Sequence, residues 1–169
     1  MASAHVAITM IGMVIRLSLK SVKKISERRV ILSELSTVDQ FLNDFEEAAN
    51  KDAKVFRQYQ SLARKNEDDP NRQKAILKAT AAPLEAAKAI MEAIVFLQRV
   101  VPFCKTTLRS DLKAALLLLD ANFQGILVLA EANLRLLPET SQPAILDLIA
   151  SLKSEQHIIF KQVKKSLKV

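Results

Sequence analysis

SDLKAALLLLDANFQGILVLAEANLRLL, residues 110–137, decides the fold. Apolar side chains fall on every face of a 3.6-residue wheel, so the segment predicts a helix enclosed by other helices. Ser110 is suited to cap its start, and Pro138 to stop it. An enclosed helix must still find partners for Asp111, Asp120, Asn122, Gln124, Glu131 and Asn133, or for a ligand that meets them.

The flanks supply the enclosing helices. Residues 102–109, PFCKTTLR, read as a loop. Before it, residues 70–101 carry alanine at 75, 79, 82, 86, 89 and 93, an alternating spacing of four and three that permits close helix approach. Pro83 lies inside that seam. It removes the hydrogen bond to the carbonyl of Ala79, so the helix is expected to kink or break near Thr80, and the freed carbonyl needs another donor. Asp69 and Pro70 read as the cap and first turn of this helix. Residues 27–66 contain no Gly or Pro, and the run Asn66-Glu67-Asp68-Asp69 ends that helix. Its seam runs Ile31, Leu35, Val38, Leu42, Phe45, Ala49, Asp52, Phe56 and Tyr59. Asp52 is a carboxylate inside an apolar seam, which implies a salt bridge, a local bend or a wet functional cleft.

A first helix spans 3 to about 25, with Gly12 in its middle as a point of close helix contact. Its apolar run, between His5 and Arg16, is shorter than the roughly 20 residues a bilayer span needs, so it reads as a buried helix rather than an anchor or leader. Past Pro138, a capped turn leads into a last helix over 142–167 with a lysine-rich end. No segment has strand periodicity. The expectation is an all-α, single-domain bundle of about five helices over residues 1–169, including two or more long antiparallel helices.

Composition bounds the function. The net charge is +7 and the pI about 9.6, which suits an anionic ligand or partner. Basic charge without a recognition motif or stacking aromatics does not point to nucleic acid, and no membrane role is expected. The single cysteine, Cys104, excludes an internal disulfide and fits a reducing cytoplasm. With no His or acid beside it in sequence, it reads as a partly buried thiol rather than a nucleophile. There is no glycine-rich phosphate loop, no nucleophile elbow, and no His/Cys cluster with metal-ligand spacing.

Four segments taken together resemble a known family: VIRLSLKSVKK after the first apolar run, DAKVF at Asp52, ATAAPLEAA around Pro83, and SDLKAALLLLDANFQGILVLAEANL. Their order and spacing are similar to the cyclodeaminase/cyclohydrolase family, which includes the C-terminal domain of formiminotransferase-cyclodeaminase and stand-alone methenyltetrahydrofolate cyclohydrolases. The resemblance implies a dimeric helical bundle with a folate site in a cleft. Such enzymes expel ammonia from 5-formimino-tetrahydrofolate while closing a ring, or add water to 5,10-methenyl-tetrahydrofolate. A tetrahydrofolate derivative is then the substrate, with no tightly bound cofactor and no metal. By the same resemblance Asp52 and Asp111 are the candidate catalytic carboxylates and Ser110 and Asn133 hydrogen-bond the substrate. Lys23 and Lys24 would hold its glutamate tail. The pattern departs from the family in having no Gly-Gly-Gly-Ser-like segment before the first helix, and at Thr107, Leu112, Lys113 and Leu129. The departures raise two alternatives: a truncated start, or a catalytically degenerate homologue acting as a non-enzymatic helical dimer or binding module.

Overall fold

The computed structural model describes residues 1–62 and 69–168, and among them it contains five α-helices and no strand. They are α1 (Ala2–Leu19), α2 (Ile25–Leu62), α3 (Pro70–Val100), α4 (Arg109–Leu134) and α5 (Gln142–Ser166). Short 3₁₀ turns at Val101–Phe103 and Thr106–Leu108 make up most of the α3–α4 connection, and another at Glu139–Ser141 leads into α5. Consecutive helices run antiparallel, as cross-links near both ends show. Ser18 accepts from the Lys105 amide at 3.0 Å and Asn122 bonds Ser3, so α1 and α4 are antiparallel. Arg99 pairs with Glu34, and Lys51 with Glu85, which sets α3 against α2. Gln156 donates to Asp120 at 2.6 Å and Arg109 to the Lys168 carbonyl at 3.1 Å, which sets α5 against α4.

The helices share one apolar core that includes Ile8, Ile11, Phe45, Phe96, Leu97, Leu119 and Phe123. Phe41 bridges two of its aromatics, with ring centroids 6.0 Å from Phe45 and 5.4 Å from Phe96. Gly12 marks a close α1–α2 approach. A Cβ built there would lie 2.9 Å from Val38 Cγ1, so only glycine fits without movement. Asp69 caps α3 as its sequence suggests, accepting from the amides of Asn71 at 2.8 Å and Arg72 at 3.3 Å, with Pro70 in the first turn.

Several local expectations are corrected. α4 is not enclosed on all sides. Leu117, Val128 and Leu129 are half exposed or more, and Ala114, Ala121, Gln124, Gly125 and Ala132 share their open face. Only the opposite face meets α1, α3 and α5. The helix begins one residue before Ser110, with Leu108 at the cap position and no side-chain cap bond, and it ends at Leu134, ahead of Pro138. α3 runs unbroken through Pro83. Asp52 does not sit in a buried seam: Phe45 is the last fully buried residue of α2 that is described, Tyr59 packs partly buried against the core, and both Asp52 and Phe56 are exposed. Of the acidic run at 66–69, Asn66, Glu67 and Asp68 lie outside the described residues. Two segments, Ala2–Leu19 and Thr106–Leu134, are long and apolar enough to cross a membrane by length and composition, each with 44% of its apolar window buried in the bundle.

Candidate functional site

The candidate residues divide between the two ends of the bundle. Asp52 projects from the outer part of α2 over a crevice of about 80 Å³ lined by Met1, Ala48, Ala82, Pro83, Ala86, Ile126 and Leu129. Small residues on α3 make this crevice possible, since the alanines leave room where larger side chains would close it. The neighbouring Lys51 pairs with Glu85 and ties α2 to α3 beside it. Asn133 lies one helical turn beyond Leu129. Its side-chain Nδ2 donates to the Ala79 carbonyl at 3.0 Å, the group that Pro83 leaves without an N–H. The Thr80 hydroxyl meanwhile donates to the Ile76 carbonyl at 3.0 Å. The Asn133 bond satisfies the carbonyl that Pro83 leaves open, and α3 stays helical through it.

Ser110, Asp111, Lys23 and Lys24 occupy the opposite end. Ser110 lines a cavity of about 440 Å³ with Arg109, Lys113, Lys164, Leu167 and Lys168. Asp111 is half-buried in the first turn of α4. Lys24 pairs with Glu27 at 3.1 Å, fully on the surface, and Lys23 is exposed beside it. Nineteen residues of α4 separate Ser110 from Leu129, a rise of about 28 Å. Within one subunit Asp52 and the Ser110–Asp111 pair therefore face different cavities and cannot act on one substrate atom.

A groove of about 490 Å³ lies apart from both groups, and sequence reasoning missed it. Met91, Val95 and Phe96 of α3 form its floor, α2 adds Phe41 and α5 adds Leu152 and Ile159, while Lys88, Glu92, Arg99 and Glu155 stand at the rim. Arg99 is committed there: it donates to Glu34 Oε2 at 3.2 and 2.8 Å and covers the Phe96 ring at 5.3 Å. The only sequence signal was the 88, 91, 92, 95, 96, 99 stripe on α3, which looks like any core-facing stripe until α2 and α5 are placed on either side.

Cys104 is buried at the α3–α4 connection. Burial pushes its thiol up to about 11, only partly offset by a hydrogen bond with Ser18. It is protonated at neutral pH and a poor nucleophile. His5 and His157 are exposed, and no group of three His, Cys, Asp or Glu side chains able to hold a metal occurs among the described residues.

The fold is similar to that of formiminotetrahydrofolate cyclodeaminase from Thermotoga maritima, with a TM-score of 0.87, 18% identity, and coverage of 98% of this chain and 83% of that one. No curated protein sequence matches the chain. The family model for formiminotransferase-cyclodeaminase matches residues 1–144, which takes in α1 to α4 and the start of α5. The chain thus belongs to the formiminotransferase-cyclodeaminase family.

Proposed function

We propose that this chain is a folate-dependent cyclohydrolase or cyclodeaminase that acts on 5,10-methenyl- or 5-formimino-tetrahydrofolate in the Asp52 crevice. The observation that carries the reading is convergence. Three of the four family-like segments, DAKVF at Asp52, ATAAPLEAA at Pro83 and the second half of α4, meet around that crevice. Both reactions pass through a cationic carbon between two nitrogens. An exposed carboxylate beside small apolar side chains is suited to stabilise that charge and to move a proton to water or to the leaving nitrogen. A reduced lone thiol fits the cytoplasmic setting in which such chemistry takes place.

A crevice of about 80 Å³ is smaller than a folate, which needs several hundred. A homodimer formed through the open α4 face enlarges it. The apolar stripe from Ala114 to Ala132 has small residues, Ala121 and Gly125, at its centre, and a Cβ on Gly125 would meet nothing within 4 Å. Antiparallel pairing of two such stripes carries Asp111 of the partner subunit to the end where Asp52 lies. It also carries the basic end of the partner there, which suits a glutamate tail.

The experiment is methenyl-tetrahydrofolate absorbance followed on mixing with the full chain. Enzymatic loss above the spontaneous rate is expected, and Asp52→Asn should lower kcat by about 10²–10⁴-fold. The melting temperature should not move, because Asp52 is exposed. The separation of Asp52 from Ser110 and Asp111 within one subunit favours a second reading, the non-catalytic dimer or binding module. Tetrahydrofolate binding without turnover at saturating protein would decide for it.

A further inference from the structure

The basic residues are not spread over the bundle. Residues 20–29, 105–113 and 161–168, which meet at one end, hold twelve lysines and arginines against two acids, Glu27 and Asp111. At this end lies the cavity of about 440 Å³ between the start of α4 and the end of α5. Among the described residues its lining contains four cationic side chains, Arg109, Lys113, Lys164 and Lys168, with Ser110 and the apolar Leu167, and no acid.

Like charges around one cavity repel one another unless a counter-charge enters. Two features fix the geometry. Arg109 Nη1 donates to the Lys168 carbonyl at 3.1 Å, which closes the α4–α5 corner. Lys164 is steadied over the Phe160 ring at 5.8 Å. Two features leave donors unspent. Arg109 Nε is buried and has no hydrogen-bond partner among the described residues, an arrangement that native proteins rarely leave without a cause. α4 starts here with no side-chain cap bond to its first amides, and Asp111 in its first turn is the acid that faces the positive end of its dipole.

We propose that this cavity is a binding site for a small oligophosphate, or an organic molecule carrying two or more phosphate groups. The volume exceeds what one phosphate fills, and four cations match the charge of two or three phosphates held together. Arginine supplies a planar fork and the lysines supply mobile point charges, a combination suited to tetrahedral oxyanions. The cavity lies at the other end of α4 from Asp52 of the same subunit, and its test reads phosphate binding without folate turnover, so the two readings fail separately.

The test is calorimetric titration of the full chain with inorganic tripolyphosphate at fixed ionic strength. One saturable site per chain is expected. Lys113→Gln combined with Lys164→Gln should weaken it by about tenfold or more, while Lys23→Gln with Lys24→Gln, on the same end but outside the cavity, should change it by less than about twofold. A second arm uses phosphatidylcholine vesicles with and without a phosphoinositide bisphosphate. Sedimentation of the chain with the phosphoinositide vesicles alone, reversed by tripolyphosphate, identifies a lipid headgroup as the source. No sedimentation, with tripolyphosphate bound, identifies a free ligand. Equal weakening by the two double variants, tighter binding of an oligoglutamate than of tripolyphosphate, or no saturable heat would overturn the proposal.

Discussion

Asn133 completes a hydrogen bond that Pro83 leaves open. A proline inside a helix deprives one carbonyl of its N–H, and here that carbonyl, Ala79, is supplied from the next helix. Asn133→Ala should then cost about 1–3 kcal/mol, the penalty for an unpaired and partly buried acceptor. The cost should shrink in a Pro83→Ala background, where the amide of residue 83 can reach Ala79 itself. Urea denaturation of the four proteins of this double-mutant cycle measures the coupling; additive effects would separate the two residues. Cys104 gives a second residue-scale expectation. Its folded thiol titrates near 11 against 9.0 for a free thiol, chiefly because burial disfavours the thiolate. The folded chain therefore holds this proton more tightly than the unfolded one. The stabilisation is complete below pH 9 and is lost as pH rises from 9 towards 11. Denaturation midpoints across that range should fall less steeply in Cys104→Ala, and native Cys104 should react with a thiol reagent far more slowly than the unfolded chain.

At the scale of elements, the α1–α2 pair is set by one close approach. Gly12→Ala puts a methyl 2.9 Å from Val38 Cγ1, and overpacking of this kind costs about 1–3 kcal/mol, against a gain of up to about 1 kcal/mol in helix propensity. Thermal melting should show a net loss for Gly12→Ala, largely recovered when Val38→Ala is added. This contact was legible in the sequence, because a glycine in the middle of an apolar helix has few other uses. The caps were legible where the chemistry is local: Asp69 before Pro70 makes the expected bonds to two amides. Ser110 misled for a reason that lies outside its own segment. The turn at Thr106–Leu108 leads straight into α4, so helical backbone begins at Arg109 and Ser110 is already inside. Asp52 misled similarly. Its four-and-three spacing is real and Tyr59 still packs on the core, but between Phe45 and Tyr59 the stripe is only partly covered, and a periodic stripe is buried only where another element lies against it.

At the scale of the whole molecule, the helical class, the helix count and the order of the helices follow from periodicity and from the positions of proline. The division of the candidate site does not. Motifs distant in sequence were grouped by family likeness, whereas antiparallel topology sends Ser110–Asp111 to one end and Asp52 and Asn133 to the other. The open face of α4 bears on assembly. Gly125→Arg introduces a large charged side chain where a lone subunit offers only open space. It should leave the far-ultraviolet circular dichroism unchanged yet convert a dimer to a monomer in sedimentation velocity. A wild-type chain that sediments as a monomer at tens of micromolar, far above the dissociation constant of an obligate dimer, would remove this face as the dimer contact.

The clustering of twelve cations at one end has a consequence for how the molecule moves as well as for what it holds. Outside those three stretches the sequence carries more acids than bases, so the bundle is an elongated object with a permanent electric moment along its long axis. In the field of an approaching anion such a body turns before it touches, basic pole first. Its association rate with anionic ligands should therefore decline as salt is raised from about 0.01 to 0.15 M, over which the Debye length contracts from about 30 to 8 Å.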